Sequence, residues 1–187
     1  VDVELRIIIG STRPGRIGPV VGDWVDQVAR EHGAFDVTLV DLASFELPLL
    51  DEPSHPAKQD YQHEHTKRWS AAVQPADAYV FVTPEYDFFA PASLVNAIQC
   101  VLKEWKYKPA AVVSYGGQSG GFRSTQELRT LLANVGVMPL PESIALRFVH
   151  SMVDDGELKV SEGTTKAAHG MLDELHKWAE ALATLRA

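Results

Sequence analysis

Cysteine is nearly absent. Cys100 is the single one in 187 residues, so no disulfide forms within the chain, and this usage points to a reducing, cytoplasmic compartment. Long apolar runs are missing as well. No stretch approaches the roughly 18 residues of a spanning helix, and Asp2, Glu4 and Arg6 stand where a secretory leader needs apolar residues, so no membrane partner is expected. A basic excess is lacking too: 17 Lys and Arg against 25 Asp and Glu leave a formal charge of −8. With no positive stripe to neutralise a phosphate backbone, nucleic acid is the poorest class of partner. Low-complexity tracts, internal repeats and long linkers do not occur. What remains is 45% apolar residues spread over the whole length, which predicts one domain over residues 1–187. A chain of this size buries about 70% of its unfolded surface without a disulfide or metal.

Apolar runs and helical stripes alternate along the chain. Leu5 to Ile9 is a β-branched run ended by Gly10 and reads as a strand buried on both faces. Ile17, Val20, Val21, Trp24, Val25 and Val28 keep the i, i+3, i+4, i+7 spacing of a helix with one apolar face. Val37 to Val40 is a second strand ending at Asp41, followed by a Pro-punctuated loop from Leu42 to Pro56 and a helix around Asp60 to Val73. Tyr79 to Val82, Ala110 to Val113 and Ile144 to Leu146 read as strands three to five. One helix carries Leu94, Val95, Ile98, Val101 and Leu102 behind Pro91, the next Leu128, Leu131, Leu132 and Val135, and the last runs from Lys166 to Leu185. Strands alternating with helices predict an α/β fold with an open, doubly wound parallel sheet, because parallel neighbours need crossovers and these are helical.

Ligands of such sheets lie beyond the carboxyl ends of the strands. The segments there are Gly10-Ser11-Thr12-Arg13-Pro14-Gly15-Arg16-Ile17-Gly18, then Thr83-Pro84-Glu85-Tyr86-Asp87-Phe88-Phe89-Ala90-Pro91, then Ser114-Tyr115-Gly116-Gly117-Gln118-Ser119-Gly120-Gly121. The first sets hydroxyls, two guanidiniums and three glycines before a helix N-terminus, where unpaired N–H groups and the dipole attract an anion. A phosphomonoester carries about −1.5 to −2 charges, which Arg13 and Arg16 balance. A Walker loop needs Gly-Lys-Ser/Thr, and the dinucleotide fingerprint fails at Thr12, where its second glycine belongs. A terminal monophosphate suits the loop better. No His, Cys or Lys occurs in the three segments, so no general base poised near neutral pH is evident. Tyr86, Phe88, Phe89 and Tyr115 offer flat apolar surface, and the glycines of the third segment let backbone approach a planar edge. A planar redox ring ending in a monophosphate fits all three, and flavin mononucleotide is that molecule.

The order GSTRPGRIG, PEYD, SYGGQSGG resembles the NADPH-dependent FMN reductase family of flavodoxin-like proteins, which includes quinone, azo-dye and chromate reductases. The likeness spans roughly Arg6 to Leu146. It implies a flavodoxin-like five-stranded parallel sheet in the order 2-1-3-4-5. It also implies that Ser11, Arg13, Arg16 and Gly18 hold the FMN phosphate, that Pro84, Glu85, Tyr86 and Asp87 line the ring, and that Ser114, Tyr115, Gly116, Gly117 and Gln118 border its other edge. By the same likeness NADPH or NADH passes hydride to FMN, and a small acceptor (a flavin, a quinone, an azo compound or a metal oxyanion) then takes it. Chemistry then belongs to the flavin, with no catalytic side chain; Phe88 and Phe89 are candidates for an apolar acceptor wall, and relatives assemble as dimers or tetramers. Two departures stand out: many relatives have Asn where Asp87 stands, and a hydroxyl residue where Arg16 stands. An amide donates to the flavin carbonyl edge and an ionised carboxylate does not.

Three rival readings remain. Gly117-Gln118-Ser119-Gly120-Gly121 satisfies G-x-S-x-G between a strand and a helix, with Asp154 or Asp155 and His169 following in hydrolase order, which makes Ser119 a nucleophile. A flavodoxin-type electron carrier is the second. A dinucleotide protein with Asp41 on a ribose is the third. His63 and His65, with His55 nearby, carry no metal expectation, since i, i+2 residues face different sides of a helix. Asp154, Asp155 and Glu157 read as a solvated turn around Gly156.

Overall fold

The computed structural model describes residues 3–186. Five parallel strands form its sheet in the order β2-β1-β3-β4-β5: β1 (Val3–Ile9), β2 (Phe35–Asp41), β3 (Ala78–Pro84), β4 (Lys108–Tyr115) and β5 (Val137–Leu146). The doubly wound arrangement and the strand order expected from the resemblance are present. Every residue of β3 and β4 is buried, as central strands of a parallel sheet covered on both faces must be.

The helices are α1 (Gly18–His32), α2 (Glu64–Val73), α3 (Ala92–Cys100), α4 (Phe122–Asn134) and α5 (Glu162–Ala183). On one face of the sheet, Val21, Trp24, Val25 and Val28 of α1 pack with Met171, Leu172 and Leu175 of α5. Trp69 of α2, Leu94 and Ile98 of α3, and Leu128 and Leu132 of α4 form the core of the other face. Most of the stripe residues read from the sequence lie on these buried faces. Gly33 closes α1 in the left-handed region at φ 78°, where glycine carries no Cβ penalty.

Several boundaries differ from the sequence reading: α3 ends at Cys100, leaving Val101 and Leu102 beyond it, and α5 begins at Glu162 rather than Lys166. Helix α2 starts at Glu64 rather than Asp60, because the Glu52 carboxylate accepts the N–H groups of Gln62 and His63 at 2.7 and 3.1 Å and holds them outside the helix. His63 therefore precedes the helix, and its ring stacks on His65 at 5.2 Å instead of facing another side. Strand β5 begins seven residues before Ile144. It contains Pro139 and Pro141, which weaken a strand reading, but an edge strand has a free side for residues without an N–H. The Asp155-Gly156 turn closes a short hairpin, β6 (Val153–Asp154) and β7 (Glu157–Leu158), with φ 47° and 79° at its two central residues, the conformation that Asp-Gly favours.

Candidate active site

Strands β1, β3 and β4 are adjacent, with Ile9 beside Val82 and Pro84 beside Tyr115. The three segments singled out in the sequence therefore leave the sheet side by side at its C-terminal edge. They line an open cleft of about 220 Å³. The first segment contributes Arg13, Gly15, Arg16 and Ile17, the second Pro84, Glu85 and Tyr86, and the third Tyr115, Gly116 and Gly117.

The first segment is shaped by close packing. Ser11 is wholly buried, and the Tyr115 hydroxyl donates to its Oγ at 3.2 Å. Gly18 lies so near this pair that a Cβ there sits 2.2 Å from Ser11 Oγ. Burial pushes the Tyr115 phenol up to about 12, so it remains a neutral donor. Among the described residues, no acceptor takes the N–H groups of Ser11, Thr12, Arg13 or Ile17. These unpaired donors precede α1, whose N-cap, Ile17, has no side-chain cap bond, and such a set of donors suits an anion. The two arginines differ. Arg13 has no carboxylate partner among the described residues, and its guanidinium lies 5.6 Å from the centre of the Tyr86 ring. Arg16 forms a forked pair with Asp41, both contacts at 2.6 Å.

The second segment turns back on itself. Tyr86 and Phe89 exchange backbone hydrogen bonds at 2.9 and 3.0 Å, with Asp87 and Phe88 at φ 49° and 77° between them. Two successive left-handed residues make a tight turn of the kind Asn-Gly favours. Here a phenylalanine occupies the glycine position, and the Arg123 guanidinium covers its ring at 4.1 Å. Asp87, Phe88 and Phe89 are exposed at the tip. Glu85 points the other way: its carboxylate accepts the Arg123 N–H at 3.0 Å and pairs with the guanidinium at 3.1 Å, capping α4 from another segment. Burial by itself raises the Glu85 pKa, but hydrogen bonds from Ser119, Arg123 and Ser124 hold it below the ordinary carboxylate range.

In the third segment Ser114 is buried and its hydroxyl donates to the Gly120 carbonyl at 2.9 Å, so it shapes the loop from beneath. Gly121, at φ 80°, leaves no room for a Cβ, which lies 2.8 Å from Ser114 Cβ. Gln118 is exposed and stands outside the cleft lining. Val149 and His150 complete the lining. The sequence reading missed them, although they follow the fifth strand and the same edge rule pointed there. The N–H groups of Phe148 and Val149 donate to the carbonyls of Gly117 and Gly116 at 2.9 and 3.0 Å, which ties that stretch to the cleft.

The hydrolase triad does not assemble. The Ser119 hydroxyl accepts the Gly121 N–H at 3.3 Å, while His169 stacks on His32 at 5.7 Å. His32 ends α1 and Gly18 begins it; 15 residues of helix span about 22 Å at 1.5 Å per residue. Asp41 is held by Arg16 and accepts the Ala43 N–H, so it is not free for a ribose. Among the described residues, no group of three His, Cys, Asp or Glu side chains is arranged to hold a metal ion.

The sheet order and a cleft at its C-terminal edge, joining an anion cradle to aromatic and glycyl ledges, define a flavodoxin-like protein. Residues 3–151 match the family described as NADPH-dependent FMN reductase. The chain is 34% identical over 179 residues to an NAD(P)H-dependent FMN reductase of Schizosaccharomyces pombe, covering 92% of this chain and 90% of the relative. It is also 34% identical over 185 residues to an NAD(P)H-dependent FMN reductase of Nectria sp, covering 93% and 92%. Among solved structures, the flavoenzyme NAD(P)H:(acceptor) oxidoreductase of Paracoccus denitrificans superposes with a TM-score of 0.75 at 24% identity, over 96% of this chain and 98% of the other. This chain belongs to the NADPH-dependent FMN reductase family.

Proposed function

We propose that the cleft binds FMN and that the protein is an NAD(P)H-dependent reductase of a small-molecule acceptor. When bound, FMN supplies the two-electron chemistry, accepting hydride from NADPH or NADH and passing it on. One observation carries the assignment: N–H groups of the first loop that have no acceptor among the described residues, and Arg13, which has no carboxylate partner among them, adjoin a cleft walled by Tyr86 and the backbone of Gly116 and Gly117. That donor set matches a phosphate at one end and a flat ring at the other. Ser11, Thr12 and Arg13 would hold the phosphate, with Gly18 leaving room for the Ser11–Tyr115 contact and Arg16 beside them. Pro84, Glu85 and Tyr86 would flank the ring on one side, and Tyr115, Gly116 and Gly117 on the other; Asp87 and Gln118 stand at the rim, and Ser114 supports the third loop from beneath. Glu85 acts here by fixing the loop on α4, and Tyr115 by holding Ser11.

Positioning and exclusion of water are the work left to the chain. No residue is assigned as nucleophile, and an electron carrier has no observation in its favour. The acceptor class is a flavin, a quinone, an azo compound or a metal oxyanion, with Phe88 and Phe89 as its apolar wall. No helix among the described residues is long and apolar enough to cross a membrane; the single cysteine supports a reducing, cytoplasmic setting. Phe88, Phe89, Phe122 and Phe148 are each more than half exposed on segments that border the cleft. Apolar exposure of that kind supports a homodimer or homotetramer with the site near its interface.

The test is spectroscopic. Purified protein supplied with FMN is expected to take on the oxidised flavin spectrum, to bleach on NADPH without air, and to regain colour on adding a quinone. Flavin that is bound but not bleached by either nicotinamide would leave only a carrier, and protein that takes up no flavin defeats the assignment.

A further inference from the structure

Arg16 is committed within the protein. Its Nη1 donates to the Ser11 carbonyl and to Asp41 Oδ1, both at 2.6 Å, and its Nη2 donates to Asp41 Oδ2 at 2.6 Å. Two parallel bonds between a guanidinium and a carboxylate fix direction as well as charge. Asp41, the last residue of β2, also accepts the Ala43 N–H at 3.1 Å. The hydrogen bonds from Arg16 and Ala43 keep its carboxyl below the ordinary range, so the pair is ionised and its net charge is zero.

The Ser11 carbonyl connects this pair to the cradle. The Ser11-Thr12 peptide is trans and planar, so its C=O and N–H point in opposite directions. A carbonyl held on Arg16 turns the Thr12 N–H away from Arg16, and that N–H has no acceptor among the described residues. From its side chain, Ser11 is held a second time by the Tyr115 hydroxyl at 3.2 Å. Arg13 is the cation of the segment without a carboxylate partner among the described residues.

We infer that Arg16 and Asp41 are positioning residues: a neutral clamp between the end of β2 and the first loop that aims the Thr12 N–H at the phosphate, leaving Arg13 to supply the charge. The inference rests on the FMN assignment above. It gives Asp41 a role in flavin binding without contact to the flavin, and it removes Arg16 from the groups that touch phosphate.

Binding of FMN and of riboflavin, which lacks the phosphate, to the flavin-free protein separates the possibilities. Flavin fluorescence gives both dissociation constants. Asp41→Asn is expected to weaken FMN about ten-fold, the size of losing one well-aimed bond to a charged group, and to leave riboflavin unchanged. Arg16→Gln is expected to do the same, and the double variant to be no worse than either single one, because both substitutions break one device. FMN binding that is unchanged or tighter in Asp41→Asn overturns the inference, since a released Arg16 then serves the phosphate directly or not at all. Additive losses overturn it as well. Melting curves of the flavin-free variants report whether each is folded. Should Asp41→Asn not fold, Arg16→Lys keeps the charge and loses the fork: a ten-fold loss of FMN affinity supports the clamp, and retained affinity overturns it. A wild-type chain that binds riboflavin as tightly as FMN overturns the phosphate assignment itself, and the clamp with it.

Discussion

Replacing Gly18 with alanine tests the packing of the first loop most directly. The added Cβ lies 2.2 Å from Ser11 Oγ, 2.9 Å from Ile9 Cγ2 and 3.0 Å from the Tyr115 hydroxyl oxygen. All three atoms belong to buried residues. Ser11 and Ile9 are buried within the loop and strand, and Tyr115 is 4% exposed with its hydroxyl on Ser11. Forcing one methyl into a filled interior costs about 1–3 kcal/mol. Alanine recovers at most about 1 kcal/mol of helix propensity in a helix interior, and less at Gly18, the first residue of α1. A net loss of roughly 1–2 kcal/mol lowers the melting temperature of a chain this size by about 2–8 °C. Because the contact displaces Ser11, FMN affinity is expected to fall at least about ten-fold, the equivalent of one hydrogen bond. Circular-dichroism melts of flavin-free protein and a fluorescence titration with FMN measure the two effects. Gly117→Ala is the control for stability, since no atom lies within 4 Å of its added Cβ, and it is expected to melt as wild type. A Gly18→Ala protein with wild-type melting temperature and FMN affinity refutes the packing argument.

Other substitutions probe the supports around the cleft. Glu85→Ala removes the carboxylate that caps α4 and pairs with Arg123; a loss of about 1 kcal/mol, typical of a helix cap, is expected in urea unfolding, together with faster amide exchange in the first turn of α4. Gly170 lies exposed in α5, without a positive φ and with no atom within 4 Å of an added Cβ, so Gly170→Ala is expected to stabilise the protein by about 0.8–1 kcal/mol and leave flavin binding untouched. Lys108 tests a pH dependence. Burial, with Arg186 nearby, pushes its ammonium down from the ordinary 10.5 to about 8. Between those values the unfolded chain holds a proton that the fold has released, so stability rises with pH across that window. Lys108→Met is expected to abolish this rise, and urea midpoints on either side of the window that climb equally in both proteins contradict the assignment.

The amino-acid order by itself determined the elements and their sequence along the chain. Periodicity is a local property: β-branched runs such as Leu5 to Ile9 and stripes such as Val21, Trp24, Val25 and Val28 need only a core to face, and these became buried strand and helix faces. The three cleft segments were legible for the same reason, since their glycines, hydroxyls and aromatics are contiguous in the chain. The folded structure alone decided which charges are spent. Arg16 and Arg13 stand three residues apart and are the same residue type, yet one is neutralised by Asp41, 25 positions away, and the other by no carboxylate among the described residues. Glu85 meets Arg123 across 38 positions, and Glu52 sets the start of α2 from 11 positions upstream. Such pairings depend on the distance between segments after folding, which no spacing along the chain encodes. So does the arrival of Val149 and His150 in the cleft, delivered by the edge strand β5.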